Sequence, residues 1–426
     1  MNGHDFTKIA EQLDHGPYFG NMINTPYYAD AIYPRFSGAE MERRYRLTRD
    51  KMSRLGLDAL IVGGAPNHWS YGSGVTWLSG HREWHCMAVF MVVPLVGDPM
   101  FVYSMGGTHA EATRRAVTVK DVRNSRNGKF MEVVADFLHE RGLEAKRIGV
   151  TAVDPHYMDY MTVNQWNTLV SRVPDAQLVR VGDFFHEFLL LKSPEEQAYV
   201  AKAGDLVARA LEAMVAAAKP GVSEYALKGA AAAAIFEGGG EVDFLIIGSS
   251  PMENPGIIFG NPRPSRRKLA KGDIILNELA ASYEGYSAQI GVPICVGEPS
   301  AQVREMFDTI VMPGYRLMEQ QLKPGGLLLE IWRSSQFFRE HGYQSRPVQL
   351  HGIDLVSQSP HIYTEELKAH DYELVIKPGM ELMLEPNPIT IDGTLGLFFG
   401  HTYLITETGH VRVTDRVPLE LLVAEA

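Results

Sequence analysis

Asp273 to Val296 reads DIILNELAASYEGYSAQIGVPICV. Two apolar runs flank Ser282-Tyr283-Glu284-Gly285, a sequence suited to a turn, so the stretch predicts a pair of strands. Polar residues interrupt both runs. Asn277 and Glu278 fall inside the first strand, and Gln289 falls inside the second. An unpaired charge buried among Ile, Leu and Val costs several kcal/mol. Either Glu278 and Gln289 belong to a site, or they face water on an exposed sheet edge. The hairpin alone leaves both readings open.

The chain on either side of this pair repeats itself. Upstream, Lys192-Ser193-Pro194-Glu195-Glu196 combines an N-cap serine, a proline at the first helical position and a glutamate that completes a capping box. It predicts a long Ala-rich helix to about Ala218. Lys219-Pro220-Gly221, a second helix to about Phe236 and a strand over 241–248 follow. Downstream, a helix over 301–322 leads to Lys323-Pro324-Gly325 and a helix over 328–341, then irregular chain toward His351. A third Lys377-Pro378-Gly379 precedes a strand over 380–386, and strands over 396–406 and 410–414 close the chain. The duplicated helix–KPG–helix unit predicts an internal pseudo-twofold repeat.

Before this repeat the pattern differs. Residues 1–40 are rich in Gly, Pro, Asn and Tyr and read as an irregular N-terminal arm. Apolar strands near 58–63, 87–94, 100–104 and 147–151 alternate with helices near 40–56, 107–116, 129–141 and 156–171, which predicts an α/β domain. The expected organisation is an arm (1–40), an α/β domain (41–190) and a second, α+β domain (191–426).

Composition narrows the partners. The formal net charge of −11 disfavours nucleic acid and anionic membrane surfaces, both of which want a basic face. No apolar run reaches the ~18–20 residues of a membrane span. The first residues lack the basic and apolar segments of a secretory signal. Cys86 and Cys295 are the two cysteines in 426 residues, so neither a disulfide framework nor a CxxC metal motif is expected. A cytoplasmic protein acting on a small molecule is the expectation.

Four segments carry a resemblance to a known family. They are Lys271-Gly272-Asp273-Ile274-Ile275 with Tyr283-Glu284-Gly285-Tyr286; Leu350-His351-Gly352-Ile353; Lys377-Pro378-Gly379-Met380 through Glu385-Pro386; and Tyr403-Leu404-Ile405-Thr406-Glu407-Thr408-Gly409. In this order they resemble the creatinase/aminopeptidase P/prolidase superfamily over about residues 40–415. The resemblance implies a creatinase-type, ribonuclease-H-like N-terminal domain followed by a pita-bread catalytic domain, and a homodimer.

The metallopeptidases of that family hold two divalent ions with two Asp, one His and two Glu, whose hard oxygen ligands let the ions activate water. Carried onto this chain, the five positions fall on Glu278, Gln289, His351, Glu385 and Gly400. Gln289 is neutral and Gly400 has no side chain. A second His of the peptidases falls on Gln358. The resemblance therefore implies no dinuclear centre and no cofactor. A single ion held by Glu278, His351 and Glu385, with His401 as a fourth ligand, stays open, although strand alternation would turn His401 away from the face of Gly400.

Creatinase is the family's precedent for chemistry without metal, with a His as general acid/base and carboxylates on a guanidinium substrate. Its catalytic His falls here in Phe259-Gly260-Asn261-Pro262, which contains none. The expected site is His351 as acid/base with Glu278 and Glu385 as catalytic carboxylates, and Gln289, Arg82, His85, Asn261 and His401 as substrate-binding residues. Arg82 and His85 come from Gly80-His81-Arg82-Glu83-Trp84-His85, a cluster suited to clamping an anionic or aromatic group. The expected reaction is hydrolysis of a C–N bond in a small polar molecule, with a lyase-type elimination also open. The rivals are an atypical metal-dependent Xaa-Pro peptidase and a non-catalytic binding protein on the same fold.

Overall fold

The computed structural model describes residues 34–64, 73–82, 88–104, 107–126, 128–151, 161–353, 360–363 and 373–425. The chain divides into two compact units, Met1–His186 and Glu187–Ala426. The first 33 residues of the expected arm lie outside the described residues.

The first unit opens with helix α1 (Gly38–Arg54), capped by the Ser37 side chain, which accepts from the Glu40 amide. Its strands are β1 (Ala59–Gly64), β2 (Val89–Pro94), β3 (Met100–Tyr103), β4 (Asp121–Asn124), β5 (Arg147–Val150) and β6 (Gln177–Arg180), separated by helices α2 (Ser73–Ser79), α3 (Gly107–Ala116), α4 (Phe130–Glu140) and α5 (Val163–Arg172). The sheet runs β4-β3-β2-β1-β5-β6. β1 is antiparallel to β2 and parallel to β5. The apolar face of α4, with Met131, Val134, Phe137 and Leu138, packs on Ile61, Phe90, Val92 and Val102 in one buried cluster. The continuous apolar runs of β1 and β2 follow from this, because every residue of both strands is buried.

A short helix, α6 (His186–Leu190), lies at the division, and the second unit then builds the repeat. α7 (Pro194–Ala217) begins with the predicted capping box: Ser193 Oγ accepts from the Glu196 amide and the Glu196 carboxylate accepts from the Ser193 amide. α8 (Glu224–Glu237) leads to β7 (Glu241–Pro251), β8 (Asp273–Tyr283), β9 (Tyr286–Gly291) and β10 (Ile294–Val296). The next helical stretch was expected to be continuous. It is α9 (Ala301–Met306), a π-helical turn over Phe307–Val311, and α10 (Met312–Glu319). Pro313, near the start of α10, explains the break, because proline has no N–H to donate and its ring crowds the carbonyl four residues back. Then follow α11 (Leu328–Glu340), β11 (Gln344–Ser345), β12 (Val348–Gly352), β13 (His361–Tyr363), β14 (Glu381–Leu384), β15 (Pro388–Ile389), β16 (Gly400–Ile405), β17 (His410–Arg412) and β18 (Leu422–Ala424). His351, expected at the end of irregular chain, is on strand β12.

The large sheet runs β13-β12-β14-β16-β9-β8-β10-β18, with β7 also on β8. β7-β8-β9 is thus mirrored by β12-β14-β16 about the β9/β16 pair, where Gly291 faces Gly400. The Lys-Pro-Gly turns occupy matching places. Gly221 N–H donates to Leu269 O (2.8 Å) and Gly325 N–H to Ile376 O (2.9 Å). Isolated bridges join Ser223 to Lys268 and Leu327 to Val375. Gly272 and Gly379, both at positive φ, turn the chain into β8 and β14. The predicted pseudo-twofold is therefore built from equivalent hydrogen bonds.

Two glycines of this unit make opposite predictions. A Cβ at Gly204 on α7 would lie 2.3 Å from the backbone oxygen of Val413, whereas one at Gly229 on α8 meets nothing within 4 Å. We expect Gly204→Ala to destabilise the protein by about 2 kcal/mol or more, because a backbone atom cannot yield. Gly229→Ala should stabilise it by about 0.5–1 kcal/mol through helix propensity. Denaturant titration of the two variants checks both signs.

Candidate active site

Sheet register decides which polar side chains meet. β12 sets His351 opposite Met383, and β14 sets Met383 opposite Thr402 and Leu384 opposite His401. β9 sets Gln289 opposite Ala280. Side chains alternate along a strand, and cross-strand partners share a face. Glu278, Gln289, His351, Met383 and Gly400 therefore lie on one face. Glu385 joins them, because the pairing continues past β14 with its N–H donating to Gln349 O (2.9 Å). Glu278 and Glu385 stand at the same offset in the two halves, six residues after Gly272 and Gly379 respectively.

The group is buried. Glu278 is 8% exposed, Gln289 3%, His351 3% and Glu385 7%, so water does little to screen these charges. The His351 Nδ1 lies 2.8 Å from Gly352 O. A carbonyl only accepts, so Nδ1 carries the proton and Nε2 is the basic nitrogen. That Nε2 lies 3.7 Å from Glu385 Oε2. Burial alone would lower the His351 pKa, but the neighbouring carboxylates of Glu385 and Glu278 and the Gly352 carbonyl outweigh it and the value is raised. Burial, reinforced by the charge of Glu385, pushes Glu278 up to about 8, against an opposing pull from Arg346 and His351. With its pKa near 8, Glu278 favours the protonated carboxyl at neutral pH, a form able to donate a hydrogen bond. Two buried acceptor atoms of the group, Gln289 Oε1 and Glu385 Oε2, have no hydrogen-bond partner among the described residues. An orphaned buried acceptor costs about 1–3 kcal/mol, so a ligand donor that reaches it is favoured.

Other expected residues are placed elsewhere. His401 is fully buried on the opposite face, its Nδ1 2.8 Å from Thr414 Oγ1 and its ring against Phe399 and Tyr315. Burial drives its pKa well below the usual histidine range. Strand alternation, not a substrate, fixes its environment, and the substrate-binding role expected for it does not stand. Asn261 is exposed, and its Oδ1 accepts from the Arg263 amide. Arg82 is half-buried within the first unit, and His85 and Gln358 lie outside the described residues.

Sequence reasoning missed Arg346. Its guanidinium carbon stands 3.5 Å from the centroid of Phe259, over the ring face. Phe259 packs with Ile353, Met383 and Phe398, next to His351 and Glu385 in the chain. The Phe259 loop is moored by Glu224, which accepts from the amides and hydroxyls of both Ser249 and Ser265, and by the Arg267–Asp273 ion pair (2.7 Å). Phe259 thus forms a platform for an arginine. The β12/β13 register also sets His361 opposite His351, a pairing hidden in the sequence by the intervening residues.

Among the described residues, the side chains on this face do not form the donor set of a two-metal centre. Gln289 offers one neutral oxygen. Gly400 offers nothing, and a Cβ there would lie 2.5 Å from the Met383 terminal methyl and 3.1 Å from Glu385 Cβ. Among the described residues, no group of three or more His, Cys, Asp or Glu is arranged to hold a metal ion.

Comparison with known proteins fits this geometry into a family. The Creatinase/Prolidase N-terminal domain profile matches residues 43–188, and that of Metallopeptidase family M24 matches residues 198–407. A creatinase of Bacillus sp. (strain B-0618) is 24% identical over 400 residues, covering 90% of this chain and 93% of that protein. An uncharacterized peptidase of Bacillus subtilis, YqhT, is 26% identical over 301 residues, covering 70% and 80%. The crystal structure of an X-Pro aminopeptidase from Thermotoga maritima superposes with a TM-score of 0.73 at 19% identity, covering 88% of this chain and all of that one. The chain belongs to the creatinase/aminopeptidase P/prolidase superfamily and has its pita-bread fold. It is an enzyme of the M24 hydrolase family. Among the described residues no helix is long and apolar enough to cross a membrane.

The Glu278 displacement predicts a pH-dependent stability. Between 4.5 and about 8 the folded state holds a proton on Glu278 that the unfolded chain has lost, so stability falls as pH rises through this window. The raised His351 acts in the same direction. Each pH unit of displacement is worth on the order of 1.4 kcal/mol. Glu278→Gln removes the Glu278 part, and its thermal midpoint should gain on wild type by several degrees between pH 5.5 and 8.5. Parallel curves for the two proteins would refute the burial of an ionisable Glu278.

Proposed function

We propose that this protein hydrolyses a C–N bond in a small polar molecule bearing a donor-rich, cationic group, without a dinuclear metal centre. The observation that carries the reading is the buried set Glu278–Gln289–His351–Glu385, which keeps the family's His and Glu385 yet leaves two acceptors, Gln289 Oε1 and Glu385 Oε2, without a hydrogen bond among the described residues. Acceptors without donors favour an amine-, amidine- or guanidine-like ligand.

In this mechanism His351 Nε2 takes a proton from a water as that water attacks the carbon. The Glu385 carboxylate stabilises the imidazolium that results, and Nδ1–H keeps the ring oriented through Gly352 O. The C–N bond breaks and the departing nitrogen takes the proton from Nε2. Glu278, protonated near neutral pH, donates a hydrogen bond to the charge that develops on the substrate. Gln289 holds the substrate through its amide oxygen. The metal-dependent Xaa-Pro peptidase reading competes with this one, and chelation separates them.

The test uses protein dialysed against a chelator. It is assayed for amine, ammonia or urea release from a panel of guanidino, amidino and N-alkyl compounds, and for proline release from Xaa-Pro dipeptides. We expect cleavage in the non-peptide panel that survives chelation, with His351→Ala and Glu385→Gln each lowering kcat by about 10²-fold or more. Two tightly bound ions per chain with chelator-sensitive Xaa-Pro cleavage would overturn the proposal.

A further inference from the structure

We infer that Lys192, held against Ile353 and Glu381, is a positioning residue for the His351 imidazole, because it pins the backbone that carries the ring's hydrogen-bond acceptor. The inference rests on His351 being the acid/base of the pocket proposed above. It adds a residue that acts through His351 and not on the substrate.

The weak point of the site is a glycine. His351 Nδ1 donates to Gly352 O (2.8 Å), and a glycine backbone is the most permissive of any residue's. Strand β12 ends at Gly352, so the ladder stops where the ring needs a fixed acceptor. Two contacts take over. The Gly352 carbonyl and the Ile353 N–H belong to one planar peptide, and that N–H donates to Glu381 O (3.1 Å). Lys192 Nζ donates to Ile353 O, which fixes the next peptide. The same ammonium lies 3.7 Å from Glu381 Oε2. Lys192 is itself held through its backbone: its N–H donates to Gly379 O (2.8 Å), and Gln197 Nε2 donates to its carbonyl (2.9 Å). The lysine therefore ties together the start of α7, the turn into β14 and the end of β12.

Stability does not explain the pair. Lys192 is 6% exposed and Glu381 1%. Taking two charges out of water offsets much of their attraction, so apolar residues of similar volume often serve a fold equally well. The internal repeat contains that apolar alternative. Glu381 lies two residues after Gly379 as Ile274 lies two after Gly272, the same relation that links Glu385 to Glu278. Ile274 is fully buried and pairs with Ser250 on β7, whereas Glu381 meets Ile353 just past β12. The scaffold thus accepts an isoleucine at this place. The half that buries a charged pair instead is the half whose strand bears His351, which ties the pair to the geometry of that strand.

NMR of isotope-labelled histidine nitrogens tests this without turnover. His351→Gln assigns the signal, and the tautomer is read at a pH where the ring is neutral. Wild type should hold the proton on Nδ1. In Lys192→Met/Glu381→Ile the Nε2–H form should grow to about a third or more of the population, since no fixed acceptor then selects the tautomer. The thermal midpoint of this variant should stay close to that of wild type. For a compound that wild type cleaves, its kcat should fall about tenfold or more with KM within about twofold. Lys192→Arg, which keeps a donor, should retain most of the Nδ1–H form. Lys192→Met/Glu381→Gln carries the test if the first double variant does not fold, and failure of both to fold would mark the pair as structural and overturn the inference. A wild-type ring protonated at Nε2, or a folded double variant with the wild-type tautomer ratio, overturns it equally. A shifted tautomer in a protein that cleaves nothing in the panel sinks the hydrolysis reading alone. Chelator-resistant hydrolysis with an unshifted tautomer sinks this inference alone.

Discussion

Two carboxylates, Glu278 and Glu385, stand at equivalent places in two halves of one sheet, and the fold forces them toward each other. Neither has water enough to screen it; Glu278 lies on β8 and Glu385 directly follows β14, two strands whose other side chains pack a core. Like charges in such a place cannot both persist without a compensating cation, and the protein meets the constraint in three ways. Glu278 keeps its proton to about pH 8. His351 is raised so that it more readily carries a positive charge beside Glu385. Arg346 adds a fixed positive charge from the rim.

The scaffold around the carboxylates is stiff for the same reason that it is symmetric. The Lys-Pro-Gly turns at Gly221 and Gly325 donate to the segments that precede the central strands β8 and β14, and each of those strands is entered through a glycine at positive φ. The helices α7–α8 and α9–α11 hold these turns from the back. Glu224 and Asn387 then tie the irregular loops to the sheet by satisfying several backbone and hydroxyl groups apiece. A site assembled this way positions its side chains through backbone hydrogen bonds, which a change at a single side chain disturbs little. The two carboxylates can therefore differ in protonation while their strands stay equivalent.

Much of this was readable in the chain. The capping box at Ser193, the Lys-Pro-Gly turns and the polar residues inside an apolar hairpin are local patterns. Local backbone chemistry writes them the same way wherever they occur. Glu278 and Gln289 could be named because each interrupts an apolar strand, and His351 and Glu385 because their segments resemble a known family. His401 interrupts one equally well, yet it belongs to the other face. A sequence period of two says that neighbours diverge, but it does not say which face is the pocket. The contact of Arg346 with Phe259 left no trace, since it joins segments far apart in the chain.

The sequence by itself determined the family and the repeat, because these are matters of residue identity at positions marked by turns and caps. Only the tertiary structure decided which polar residues share a face, that Nε2 of His351 looks toward Glu385, and that a cation stands on the ring of Phe259. Register and loop anchoring fix these, and both depend on hydrogen bonds between strands that the sequence order does not place side by side.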